Sequence, residues 1–218
     1  MPNPAAPDSL SARYFDDVYR ANPDPWNFAS SPYEAAKYAA TLAALPRALY
    51  PSAFEAGCSI GVLTAQLAPR CGRLLSADIS ERALRAARER CAALDNVRFE
   101  QRTLPGGFPD GPFDLIVVSE VGYYLAMPDL LKFRAAVISQ LAPAGQLLLV
   151  HWTPEVHDYP LTGDEVHETF LETSRTAGSS LRHLTGRQEE KYRLDLFEQA
   201  GMPAAGRDGE PPAAPAAP

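Results

Sequence analysis

Phe54-Glu55-Ala56-Gly57-Cys58-Ser59-Ile60-Gly61, with Asp78 seventeen residues beyond Gly61, is the stretch from which the rest of the chain is read. An apolar run ends in an acid, and two glycines follow, four residues apart. The spacing predicts a strand, a tight turn and a helix, with Asp78 at the end of a second strand. Gly57 lets the backbone turn sharply and come close to a ligand. Gly61 opens the helix with no side chain in the way of that approach. A carboxylate after the second strand accepts well from the two hydroxyls of a ribose. Ser59 holds the middle position, so the pattern E-x-G-x-x-x-G is not the dinucleotide fingerprint G-x-G-x-x-G. The competing reading is an ordinary turn that holds nothing.

The following segments favour the ligand site. Val97-Arg98-Phe99-Glu100 reads as a short third strand. Phe113 to Glu120 reads as a fourth, apolar almost throughout, as a strand covered on both faces should be. Leu141-Ala142-Pro143-Ala144-Gly145 is expected to end a helix, and Gln146 to Trp152 to form a fifth strand. Helices are expected at about 60–69, 80–94, 128–141 and 164–176, and two late strands at Arg182 to Thr185 and Lys191 to Phe197. Ser31, Pro32 and Glu34 make a strong helix start, with serine as cap, proline in the first turn and glutamate reaching back as in a capping box.

This order of segments resembles the class I methyltransferases that use S-adenosylmethionine, over roughly Phe54 to Trp152. The resemblance implies an α/β, Rossmann-like fold. Its sheet is seven-stranded and mostly parallel, in the order 3-2-1-4-5-7-6, with helices on both faces. Ligands of such sheets sit at the carboxyl ends of the strands, where the winding direction switches. A narrower resemblance, to the nodulation protein S group, rests on Asp24-Pro25-Trp26, Ser31-Pro32-Tyr33-Glu34, Lys37-Tyr38, Ser119 to Leu125, Val150-His151-Trp152, Asp158 to Leu161 and Gly163 to His167. It runs from about Tyr14 to Glu198. The founding members of that group methylate the amino nitrogen of a deacetylated chitin-oligosaccharide terminus.

The resemblance implies a cofactor set of Trp26, Tyr33, Lys37, Glu55, Gly57, Cys58, Gly61, Asp78, Ile79, Thr103, Leu104 and Ser119. Several of these keep a second reading. Glu55 either stays near the cofactor or bonds its own turn. Asp78 either holds the ribose or caps the next helix. Lys37 is either a solvated charge or the partner of the cofactor carboxylate. Trp26 and Tyr33 either pack in the core or close a lid over the sulfonium, which ring faces attract. Cys58 reads as a small filler in the turn. Thr103 stands where related chains often carry an aspartate that reads the adenine amino group, which leaves adenine to backbone groups of Thr103 and Leu104. On the acceptor side, Glu120 and His151 end the fourth and fifth strands and are the catalytic candidates; the competing readings are a satisfied core histidine for His151 and, for Glu120, a carboxylate that orients a sugar hydroxyl or ammonium. Histidine titrates near neutrality and can take a proton from an amine. Glu120, His151, Tyr123 and Tyr124 form the expected substrate contacts.

Composition narrows the class further. A chain of 218 residues suits one α/β domain with a sizeable core. A net charge of −7 argues against nucleic acid as a main partner. No apolar run approaches a membrane span, and the N-terminus lacks the basic and apolar regions of a signal peptide. Three cysteines with no ligand spacing suggest free thiols in a reducing cytoplasm, and no metal site is expected. Residues 1–9 and 206–218 are expected to be disordered, flanking a single domain over 10–205 whose residues 10–45 form a helical lid. The expected activity is transfer of a methyl group from S-adenosylmethionine to an amino sugar or similar small polar acceptor. The rivals are a small-molecule O-methyltransferase of natural-product assembly and a non-catalytic binder of the same cofactor.

Overall fold

The computed structural model describes residues 8–200. In chain order the elements are α1 (Ala12–Ala21), α2 (Pro32–Ala43), β1 (Tyr50–Ala56), α3 (Val62–Leu67), β2 (Cys71–Asp78), α4 (Glu81–Arg90), β3 (Val97–Gln101), β4 (Phe113–Ser119), α5 (Met127–Gln140), β5 (Leu141–Trp152), α6 (Gly163–Arg175), β6 (Leu181–Gln188) and β7 (Tyr192–Gln199). The seven strands form one sheet in the order β3-β2-β1-β4-β5-β7-β6. β7 runs antiparallel to β5 and β6, and the other pairs are parallel. This is the class I methyltransferase fold.

The central strands are apolar throughout because each has two faces to bury. Ile116, Val118, Leu147 and Leu149 face one way and pack with Phe133 and Val137 of α5 and Val166 and Phe170 of α6. The residues between them, Leu115, Val117, Leu148 and Val150, face the other way and pack with Tyr38 of α2 and Leu63 and Leu67 of α3. The alternation is the period of two that a pleated strand imposes.

Several local expectations change. α5 stops at Gln140, and Leu141 is already extended and paired with Phe113. The Pro143–Gly145 stretch is an irregularity inside β5 rather than the end of a helix, with Ala144 at φ +60°. The hydroxyl of Ser31 accepts from the Glu34 N–H at 3.4 Å, but the Glu34 carboxylate pairs with Lys37 and does not complete a capping box. A complete box forms at α6 between Thr162 and Glu165. The expected disorder of residues 1–9 fails at Ser9, whose hydroxyl donates to Asp129 at 2.8 Å and accepts from the Ala126 N–H at 2.9 Å. Residues 1–7 and 206–218, also expected to be disordered, lie outside the described residues, as does the end of the domain beyond 200.

Candidate active site

β1 and β4 lie side by side, yet the chain leaves them in opposite directions, since β2 and β3 follow on one side and β5 on the other. A crevice must open where their carboxyl ends diverge. A cavity of about 940 Å³ lies there, lined by the ends of β1, β2, β3 and β4. Of the residues expected from sequence, Trp26, Glu55, Gly57, Cys58, Asp78, Ile79, Thr103, Leu104, Ser119, Glu120 and Tyr124 line it.

The turn after β1 is bound to β2. The N–H groups of Gly57 and Cys58 both donate to the Ala77 carbonyl, at 2.8 and 2.9 Å. Gly57 has φ +72°, and a Cβ there would lie 2.1 Å from Cγ2 of Val121. The glycine is therefore required twice, by backbone conformation and by the close approach of the segment after β4. Gly61 has a different task from the one expected. A Cβ there would meet the Ala87 backbone at 2.9 Å, so its bareness lets α3 pack on α4 and does not open a path for a ligand.

Asp78 is buried, and its two oxygens accept from the N–H groups of Ser59 at 2.8 Å and Ser80 at 2.9 Å. Burial raises its carboxyl to about 6. Two hydrogen bonds leave about half of a carboxylate's accepting capacity for another donor. Asp78 thus secures the start of α4 and still faces the cavity. Glu55 is buried more deeply, and one oxygen takes the hydroxyls of Thr64 at 2.6 Å and Ser76 at 2.7 Å. Burial pushes it to about 7. It ties β1 to β2 and α3 while also lining the cavity.

Glu120 stands at φ +58°, a conformation uncommon for a residue with a side chain. The bend turns its carboxylate back under the strand ends. Lys37 donates to one oxygen at 2.6 Å, while the Trp152 N–H, at 2.9 Å, and the Tyr123 hydroxyl donate to the other. Lys37 also pairs with Glu34 at 3.0 Å and is almost wholly buried. Lys37 therefore does not reach the cavity, and the partnership with a cofactor carboxylate that its position suggested is not available to it. Tyr33 does not reach it either, because its ring packs against Trp152 and Tyr192. Tyr123 is turned inward, stacked on Tyr159 and bonded to Glu120.

The largest departure is His151. It was expected to point into the crevice, but it is fully buried on the far side of the Gly122–Tyr124 turn. Its Nε2 accepts from the Gly122 N–H at 3.1 Å, and its Nδ1 meets His167 at 3.1 Å. Burial holds its ring well below the usual histidine range. No solvent or cavity surface reaches it, so it is not placed to take a proton from an acceptor.

The sequence reading placed this helix in the lid but named neither of the α1 side chains that line the cavity. Phe15 and Tyr19 line the cavity, and the Tyr19 hydroxyl donates to Ser59 at 2.6 Å. Asp16 accepts from the Ser80 hydroxyl at 2.9 Å, which anchors α1 to α4. The signal was present as Phe15 and Tyr19, four apart on one helix face. Trp26 does belong to this lining, stacked on Phe28 and edge-on to Tyr19. Among the described residues, the charged lining comprises Glu55, Asp78, Glu100, Glu120 and Asp129 against Arg102. Arg102 is spent on Glu100 at 2.6 Å.

A family model, Nodulation protein S (NodS), matches residues 17–157. Nodulation protein S of Rhizobium tropici is 34% identical over 129 residues, which are 57% of this chain and 53% of that protein. The chain thus spans about half the length of that relative. Among solved structures, the NodS N-methyltransferase of Bradyrhizobium japonicum WM9 in complex with S-adenosylhomocysteine is 25% identical, with a TM-score of 0.73. The match covers 87% of this chain and 99% of that one. A crystal structure from Pseudomonas syringae is 40% identical, with a TM-score of 0.66, over 77% of this chain and 99% of that one.

Proposed function

The chain belongs to the nodulation protein S family, and from that premise we propose that it is an S-adenosylmethionine-dependent methyltransferase acting on the amino nitrogen of a small polar acceptor. The observation that carries the reading is Asp78, a buried carboxylate with spare accepting capacity and, among the described residues, no ion-pair partner, at the rim of a turn that only glycine can make. A carboxylate in that condition is costly to the fold and is suited to hydroxyl donors such as those of a ribose.

The residues fit the cofactor. Asp78 would hold the ribose, Gly57 to Ser59 would lie along the methionine end, and Ile79, Thr103 and Leu104 would flank the base. Phe15, Tyr19 and Trp26 would cover it. S-adenosylmethionine supplies there a methyl group on a positively charged sulfur. The acidic lining favours that cation, and it favours an amine over an anionic acceptor. Trp26 and Tyr19, which line the cavity, would exclude water and attract the positive charge.

Glu120 is proposed as the acceptor's anchor. A carboxylate has about four accepting sites, and Lys37, Tyr123 and Trp152 occupy three. The fourth is free for an N–H or O–H of the acceptor. Catalysis then consists mainly of alignment, which can contribute on the order of 7–11 kcal/mol. No proton is assigned to His151. Calorimetry with S-adenosylhomocysteine tests the cofactor site. A screen of amines and amino sugars, read by product mass, tests the acceptor. A wild-type protein that does not bind S-adenosylhomocysteine would overturn the reading.

A further inference from the structure

A file of buried polar groups runs behind the turn that carries Glu120 and Tyr124. The Gly122 N–H donates to Nε2 of His151 at 3.1 Å. Nδ1 of His151 meets Nε2 of His167 at 3.1 Å. Nδ1 of His167 meets Asp195 at 2.6 Å. The other oxygen of Asp195 meets Nε2 of His183, on the outer strand β6, at 2.6 Å. Both inner histidines are fully buried, and Asp195 nearly so.

The hydrogens in this file can be placed by elimination. A backbone N–H only donates, so Nε2 of His151 is bare and its proton sits on Nδ1. That proton points at His167, so Nε2 of His167 is bare and its proton sits on Nδ1, facing the Asp195 carboxylate. With both imidazoles neutral, every site is satisfied. One added proton has no good place. On Nε2 of His151 it would face the Gly122 N–H head-on. On Nε2 of His167 it would face the His151 N–H. If His151 then changed tautomer, its own Nε2–H would again face Gly122. Any single proton gained by the pair sets donor against donor.

We propose that the His151–His167–Asp195 file is a proton-sensitive positioning device, which holds Gly122, and with it the Glu120–Tyr124 turn, against the cavity only while both imidazoles are neutral. His151 is a positioning residue, acting on the acceptor side through Gly122. The space leaves the turn no slack, since a Cβ on Gly122 would meet Val166 at 2.5 Å and His151 at 3.1 Å.

The charged and titratable surroundings are Lys37 from α2, Glu120 and Tyr123 from the turn, Asp164 and Glu168 from α6, Arg193 and Asp195 from β7, and His183 from β6. Lys37, Arg193 and burial oppose a proton on the pair, while Asp195 and Asp164 favour one. Burial is the largest influence on each ring, and both are held below the ordinary histidine range. The neutral, engaged state therefore prevails at neutral pH, and release comes on acidification.

The proposal rests on the methyl-transfer reading only for what the turn serves. The test uses the full chain labelled with ¹⁵N-histidine and ¹⁵N-glycine, titrated by NMR from pH 8 downward with S-adenosylhomocysteine present. Expected are two neutral Nδ1–H imidazoles at pH 8 and a Gly122 amide signal that moves with the midpoint of His151. In His151→Gln, which keeps an acceptor that does not titrate, that amide should lose its dependence on the pair. In Asp195→Asn, which removes the anion facing His167, the midpoint should fall by about 1 pH unit or more. A Gly122 amide indifferent to His151 titration, or an Nε2–H tautomer at His151, overturns the proposal. Failure of the wild type to bind S-adenosylhomocysteine while the Gly122 coupling holds would sink the methyltransferase reading and leave the device standing.

Discussion

Gly57→Ala offers the sharpest test of how the cofactor turn is built. The added methyl meets two obstacles. The backbone at φ +72° is strained for any residue with a Cβ, at a cost of about 1–2 kcal/mol. The methyl would also lie 2.1 Å from Cγ2 of Val121, inside any permitted contact. Valine is stiff about χ1, and the turn cannot retreat because Gly57 and Cys58 are both bonded to Ala77. Overpacking of this kind costs about 1–3 kcal/mol. The sum is about 2–5 kcal/mol, and a domain of this size loses about 2–4 °C of Tm per kcal/mol. A central value of about 3 kcal/mol thus predicts a Tm lower by roughly 6–12 °C, together with weaker binding of S-adenosylhomocysteine. The two contributions separate in a double-mutant cycle. Val121→Ala removes the collision but not the backbone strain, so Gly57→Ala/Val121→Ala should recover about 1–3 kcal/mol relative to additivity. Scanning calorimetry and urea titration of the four proteins give the cycle. Strict additivity would refute the steric argument, and an unchanged Tm in Gly57→Ala would refute both.

Two other outcomes are expected. Lys37→Met leaves Glu34 and Glu120 facing each other without their shared cation, and should cost about 3–5 kcal/mol in urea unfolding, clearly more than Glu34→Gln; equal losses would mean that Lys37 is not the hub of the three. Asp78 accepts from hydroxyls most strongly when ionised, since protonation turns one of its accepting oxygens into a donor, and burial raises its carboxyl to about 6. Affinity for S-adenosylhomocysteine should therefore be level above about pH 7 and fall by up to about tenfold per unit below pH 6. Asp78→Asn should bind weakly at every pH, and a flat wild-type profile from pH 5 to 8 would remove Asp78 from the ligand.

The parallel strands and the location of the cavity were legible in the chain because they rest on local signals, whereas the order 3-2-1-4-5-7-6 came from the resemblance to class I methyltransferases. Continuous apolar runs marked β4 and β5, glycines marked the turn, and an acid after β2 marked the rim. Those cues depend on residues near one another in sequence, where backbone sterics and the period of two act directly. Even the lid was half visible, through the proline-rich turn before Trp26, though Tyr19 and its bond to Ser59 were not.

What the sequence could not decide was which way strand-end side chains turn. Glu120 and His151 both end central strands and looked equivalent. The bend at Glu120 keeps its carboxylate at the cavity wall, while His151 lies behind the turn that the same bend begins. Lys37 met two carboxylates, one from its own helix and one 83 positions away, and together they hold it away from the cavity. The amino-acid sequence by itself determined the central strands and the glycine turn with Asp78, and the order of the sheet followed from the resemblance it carries. Only the tertiary structure decided which polar groups face the cavity and which satisfy one another in the core, because a buried donor or acceptor must find its partner wherever the fold happens to bring one within about 3 Å.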